Sequence, residues 1–287
     1  HFDRPWTVLW SGGIDSTVIV SAMIKNLAPA DFDNITIVCT SSSIWENPHF
    51  YFDYIKPNFK VGNSVELVTN EFDSQNTYTI DGMYADQLMG SIGGYLDTLY
   101  QNPDVLHTNI IKNKDAAIDF IDGLTDDKKF AEWYYHALVT NADSVGVPIT
   151  TIYDMMWWSG FSFAWTSVKF GYLLQGKWKH LKNGKNCVDR QLRWYNNDNY
   201  QQWAMNPSNV HDKIGANTSE LKLAAKKYIY SLDNNKHYFK FKTKMPSIDI
   251  LDRHWSNTWC CMDDNWNLLN LRDHQDQIIS MLPDHLV

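Results

Sequence analysis

Residues 6–10 (WTVLW), 16–27 (STVIVSAMIKNL) and 35–39 (ITIVC) constrain the fold more than any other part of the chain. The first and third are apolar, β-branched runs that read as buried strands. The second places Val18 with Ala22 and Ile19 with Met23 at the four-residue spacing of a helix. Strand, helix and strand within about 30 residues make a βαβ unit, which predicts a parallel sheet with helices on its faces. Further runs at 65–69 (VELVT) and 77–80 (TYTI) continue the alternation, each followed by polar residues. Ligands of such sheets bind at the carboxyl ends of the strands. Beyond about residue 105 the segments AAIDFI, FAEWYYHALV, ELKLAAKKYIYSL and QDQIISML suggest helices. The expected architecture is therefore α/β: a parallel-sheet core over 1–110, and a mainly helical part over 111–287 packed on it, with a soft boundary between.

The 287 residues are 44% hydrophobic and 14% aromatic, enough apolar material to fill the core of one large domain or two small ones. The opening HFDRPWTVLW lacks the basic start and apolar run of a secretory signal, and no apolar stretch approaches the roughly 20 residues of a membrane span. A cytoplasmic protein without membrane attachment is expected. Cys39, Cys187, Cys260 and Cys261 lack the paired short spacing of a zinc site, so reduced thiols are expected. A net charge of −8 argues against broad nucleic-acid binding. The basic run KWKHLKNGK at 177–185, with Arg190 and Arg193 beyond it, reads as a solvated face, with a local RNA- or nucleotide-binding face as the alternative, and DMMWWSGFSFAW at 154–165 reads as core or pocket wall.

Between the first strand and the helix lies SGGIDST, residues 11–17. Gly12 and Gly13 permit backbone angles closed to other residues and allow close approach of the main chain. Together with the unpaired N–H groups and positive dipole end of the following helix, the corner forms an anion nest suited to phosphate. Ser11, Ser16 and Thr17 add hydroxyls. Asp15 would repel a phosphate unless a cation lay between, which points to Mg²⁺ bridging to a polyphosphate. A plain strand-to-helix turn capped by Ser or Asp is the simpler alternative.

The spacing fits neither G-x-G-x-x-G nor G-x-x-x-x-G-K-[ST]. S-G-G-x-D-S resembles the PP-loop of the ATP pyrophosphatases. These enzymes cleave ATP between the α and β phosphates, adenylate a carbonyl or carboxylate oxygen, and let a nitrogen or sulfur nucleophile displace AMP. The resemblance implies an adenine nucleotide alpha hydrolase-like core. ATP would be held by Ser11, Gly12, Gly13, Asp15, Ser16 and Thr17, with Cys39 at the end of the second β-run. At 82–90, GMYADQLMG resembles the G-E-G-A-D-E-L-F-G segment of asparagine synthetases and β-lactam synthetases. Gly82, Ala85, Asp86, Leu88 and Gly90 agree, Met89 is conservative, and Met83, Tyr84 and Gln87 depart. This implies that Asp86 is a metal ligand with Asp15, at the same sheet edge; a dipole-favoured position at a helix start is the alternative. Farther on, SELKLAAKKYIYSLDNNKHYFKFKTKMPS is similar to the family's K-x-x-L-R followed by R-x-K-x-x-F, with Lys222 opening the helix. The likeness implies that Lys244 contacts the phosphates, with Lys242 and Lys240 as alternatives; an exposed basic loop or edge strand is the plain reading. VDRQLRWYNNDNYQQWA at 188–204 echoes a further family segment without its proline and carries no site.

Ten residues precede Ser11, so if the full-length protein starts here no counterpart of the asparagine synthetases' glutaminase domain is expected. Nitrogen would come from free ammonia, from a separate amidotransferase, or from an amine on the small-molecule acceptor. Tyr84 and Gln87 change size and charge where that acceptor would lie. The expected activity is an AMP-forming, Mg²⁺- and ATP-dependent ligation of asparagine synthetase type, forming an amide or other C–N bond. The alternatives are a PP-loop enzyme modifying a nucleobase or tRNA, against whose thiolating members the missing cysteine pairs count, and a non-catalytic ATP-binding protein, hinted at by Met83 and Gln87.

Overall fold

Strands β1 (Trp6–Leu9), β2 (Ile35–Cys39), β3 (Lys60–Asn63), β4 (Tyr78–Asp81) and β5 (Gln191–Arg193) pair in the order β3-β2-β1-β4-β5, with every pairing parallel. The protein is thus an α/β structure. The computed structural model describes residues 4–63, 77–90, 103–164, 191–214 and 221–242. These divide into two compact units, one of 4–63, 77–83, 191–194 and 225–242, the other of 84–90, 103–164, 195–214 and 221–224. The predicted strand at 65–69, the helix at 275–282, the basic run at 177–185, Arg190 and Lys244 lie outside the described residues.

In the first unit, β1 lies at the centre because its residues tolerate burial on both faces. Val8 is completely buried, and Trp6 stacks on Tyr78 of β4 with centroids 4.9 Å apart. Helix α1 (Ile14–Asn26) is buried nearly all round over its first ten residues. Its Val18, Ile19, Val20 and Met23 are each worth about 1.5–3 kcal/mol as buried side chains. Asp15 in its first turn and Lys25 in its last match the helix dipole. Helix α2 (Ser41–Glu46) follows β2 and starts with Thr40, whose hydroxyl accepts from the Ser43 N–H.

In the second unit, helix α3 (Ala85–Met89) is a single turn, and α4 (Lys114–Thr125) packs along α5 (Lys128–Ser144). Asn113 and Asp127 cap these two by accepting from the Ala116 and Phe130 N–H groups. Every residue of α6 (Ile152–Trp158) is buried, so this part of the Met/Trp stripe is core. Its aromatic polar atoms are satisfied: Tyr153 donates to the Met89 carbonyl at 3.1 Å and Trp157 to the Leu88 carbonyl at 3.0 Å. Helices α7 (Asp198–Met205) and α8 (Val210–Ile214) complete the unit. Helices α9 (Leu223–Asp233) and α10 (Lys236–Phe241) follow. From α9, Tyr228 and Ser231 meet Lys25 and Asn26 at the end of α1. Among the described residues no helix is long and apolar enough to cross a membrane.

Candidate functional site

Chain order runs outward from β1 through β2 to β3, then restarts on the other side of β1 with β4. This reversal is the topological switch point at which ligands of open α/β sheets bind. The corner at 11–13 leaves β1 at that place. Its contacts with the neighbouring helix account for both glycines. Gly12 has φ +82°, and a Cβ there would lie 2.1 Å from the Ser43 carbonyl oxygen and 2.8 Å from the Glu46 Cβ. Gly13, the N-cap of α1, would direct its Cβ to within 3.3 Å of Glu46 Oε1. Both positions press the corner against α2.

The expected trio of hydroxyl donors narrows to one exposed residue. Ser16 is buried and its Oγ donates to the Gly13 carbonyl at 3.2 Å, while accepting from the Ser11 N–H at 3.1 Å. Thr17 is fully buried beneath the corner, its Oγ1 accepting from the Trp10 indole at 3.1 Å and reaching the Gly12 carbonyl at 3.5 Å. Ser11 alone is exposed, its Oγ accepting from the Gly13 N–H at 3.3 Å. No side chain caps α1, and its first helical bond runs from the Thr17 N–H to the Gly13 carbonyl. The N–H groups of Ile14, Asp15 and Ser16 thus have no intrahelical acceptor and carry the positive end of the dipole. Asp15 is half-buried in this first turn. Cys39 closes β2 as a buried thiol, in register with Asn63 of β3.

The carboxyl end of β4 comes to the same corner. A Cβ on Gly82 would lie 3.2 Å from the Ser16 N and 3.3 Å from the Asp15 Cβ, so the residue after β4 lies directly against the first turn of α1. Asp81 fixes that turn: its Oδ1 accepts from the Met83 N–H at 3.1 Å, and its Oδ2 pairs with the Arg193 guanidinium of β5 at 2.6 Å. The same guanidinium nitrogen touches the Met83 sulfur. Arg193 is only 12% exposed, which corrects its reading as part of a solvated face.

Lys242, the C-cap of α10, reaches Glu46 beside the corner. Its ammonium donates to Glu46 Oε1 at 2.7 Å, and the two side chains are 11% and 7% exposed. Tyr238, one turn earlier, is buried with its hydroxyl beside Thr17 but without a hydrogen bond of normal geometry. Burial pushes its pKa well above the usual tyrosine range, and the charges of Glu46 and Asp15 add to the rise. Glu46 and Tyr238 were not singled out by sequence. No motif marks either residue, and Glu46 ends α2, seven residues after β2.

Asp86 belongs to the second unit, where it stands in the first turn of α3. Its carboxylate, 38% exposed, pairs at 2.7 Å with Lys222, which is 3% exposed. Lys222 precedes α9, as its expected helix-opening place requires, and has a left-handed backbone with φ +58°. Tyr84, just before α3, is also left-handed at φ 72°. Two non-glycine residues in this region beside one carboxylate is a concentration of backbone strain.

Among the described residues no group of three or more His, Cys, Asp or Glu side chains is placed to hold a metal ion. A Mg²⁺ bound through one or two carboxylates and substrate phosphates needs no such group, and Asp15 beside the uncapped helix start suits that mode. Comparison with family models, curated proteins and solved structures finds no match for this chain.

Proposed function

We propose that this chain is an ATP-dependent, AMP-forming ligase of PP-loop type, similar in its chemistry to asparagine synthetases. It would adenylate a carboxylate or carbonyl oxygen of a small acceptor with release of pyrophosphate, and then form an amide or other C–N bond. One observation carries the reading: the S-G-G-x-D-S corner leaves the central strand at the switch point, with an uncapped helix start and Asp15 in its first turn. The main-chain N–H groups of 14–16 and the Ser11 hydroxyl would bind phosphate oxygens. Asp15 would hold Mg²⁺, which neutralises triphosphate charge when bound, and the sequence resemblance adds Asp86 as a ligand. A lysine from the 242–244 segment would oppose the negative charge that grows on the departing pyrophosphate. Incubating the protein with ATP, Mg²⁺ and a panel of carboxylates should yield AMP and pyrophosphate; ADP and phosphate as products refute the proposal.

A second reading is favoured by one observation. Asp86 is paired with a nearly buried lysine, which makes it a poorer metal ligand. On that reading the chain binds ATP without turnover, and ATP binding with no α–β cleavage for any acceptor would establish it.

A further inference from the structure

We infer that Glu46 is the positioning residue of the glycine corner, holding the Lys242 ammonium where a polyphosphate would lie. The inference rests on the proposal that the corner binds polyphosphate, and it assigns the cation there to Lys242 through a carboxylate that no motif marks. Three observations meet at Glu46. Its Cβ and Oε1 lie against the open sides of Gly12 and Gly13. That same Oε1 accepts from Lys242 at 2.7 Å. Both side chains are nearly buried, so the pair is shielded from water and screened little by salt.

A lysine on four rotatable bonds is a poor pre-formed anion site, because ordering it opposes binding. A buried carboxylate orders it beforehand. The ammonium has three N–H donors and needs only one for Glu46, which leaves others to reach a phosphate oxygen without breaking the pair. Glu46 acts through Lys242 and touches no ligand. Without Lys242 it would be a nearly buried negative charge against Gly13, and the corner would repel the anion it otherwise attracts. The buried Tyr238 side chain anchors the helix that Lys242 follows.

The test titrates inorganic pyrophosphate with Mg²⁺ into the full chain by calorimetry, with melting curves to confirm folding. Lys242→Met should weaken binding about tenfold or more, and Glu46→Ala should weaken it as well. Adding Glu46→Ala to Lys242→Met should cause no further loss and should restore the part of the loss that comes from the stranded carboxylate, since with the ammonium gone Glu46 has no cation to hold. If Lys242→Met does not fold around its nearly buried carboxylate, the neutral pair Glu46→Gln with Lys242→Met replaces it and should still bind several-fold more weakly than wild type. A merely structural pair would lower the melting temperature and leave the dissociation constant and its salt dependence unchanged. Wild-type binding with variants within twofold of it, or losses that multiply in the double variant, overturn the inference alone. A wild-type chain that binds no pyrophosphate overturns the polyphosphate reading and the inference with it.

Discussion

Gly12→Ala tests whether the corner is held by contact with α2. Alanine at φ +82° costs about 1–2 kcal/mol, because a left-handed backbone crowds the Cβ against the carbonyl. The new methyl would also stand 2.1 Å from the Ser43 carbonyl oxygen, a main-chain atom that cannot swing aside. Overpacking of this kind costs about 1–3 kcal/mol more. The smaller end of the combined range, about 2 kcal/mol, already corresponds to a roughly thirtyfold larger opening constant. Native-state hydrogen exchange read by mass spectrometry on peptides covering 6–10 and 35–39 should therefore accelerate at least that much. Gly123→Ala is the matched control: it lies in α4 with open space around the added methyl, and should stabilise that helix by about 1 kcal/mol. Exchange in β1 and β2 within threefold of wild type for Gly12→Ala would refute the argument that α2 dictates this glycine.

Arg193→Met should destabilise the sheet unit by about 3–5 kcal/mol, since it strands the Asp81 carboxylate in a nearly buried place, and adding Asp81→Asn should recover most of the loss in denaturant titrations. Lys213 supplies a pH test. Its burial, only partly offset by the charge of Asp154, lowers its pKa to about 8 from 10.5. Between those values the unfolded chain binds more protons than the folded one, so this group's contribution to stability should rise with pH from about 8 to about 10.5. Stability of wild type measured against Lys213→Met across that window should show the rise; a flat difference would contradict the burial argument. Asp15→Ala should abolish pyrophosphate release while costing no more stability than its helix-dipole interaction, about 0.3–1 kcal/mol, and full activity in that variant would remove Asp15 from the proposed chemistry.

The βαβ unit was legible because its signals are local. The second strand stands at 35–39 as read, and the first and fourth differ from their expected limits by a residue at the ends. Helix α1 begins at Ile14, two residues earlier than its pattern suggests, because its N-cap is Gly13, which has no side chain to announce it. Strands β3 (KVGN) and β5 (QLR) carry no strand pattern of their own. Pairing with β2 and β4 makes them strands, and pairing is not written in four or three residues. The site divides the same way. The corner was visible as a motif, whereas Glu46 meeting Lys242 across 196 residues, and Lys222 meeting Asp86, depend on how distant segments come together. Arg193 looked like surface because its neighbours in sequence are basic, and only the β4–β5 register shows its carboxylate partner.

The position of β5 in the chain also sets a schedule for biosynthesis. β4 leaves the ribosome about a hundred residues before the segment that closes its outer edge, an interval of roughly 5–20 s at common elongation rates. During that time a nascent sheet of β1 to β4 can assemble, with the β4 border still open to pairing by another chain and Asp81 waiting for an arginine that has not yet been translated. Lys242 arrives later still. The sheet is therefore vulnerable early and complete late, and stalled or prematurely ended chains that stop short of Gln191 should be the ones that aggregate or recruit chaperones.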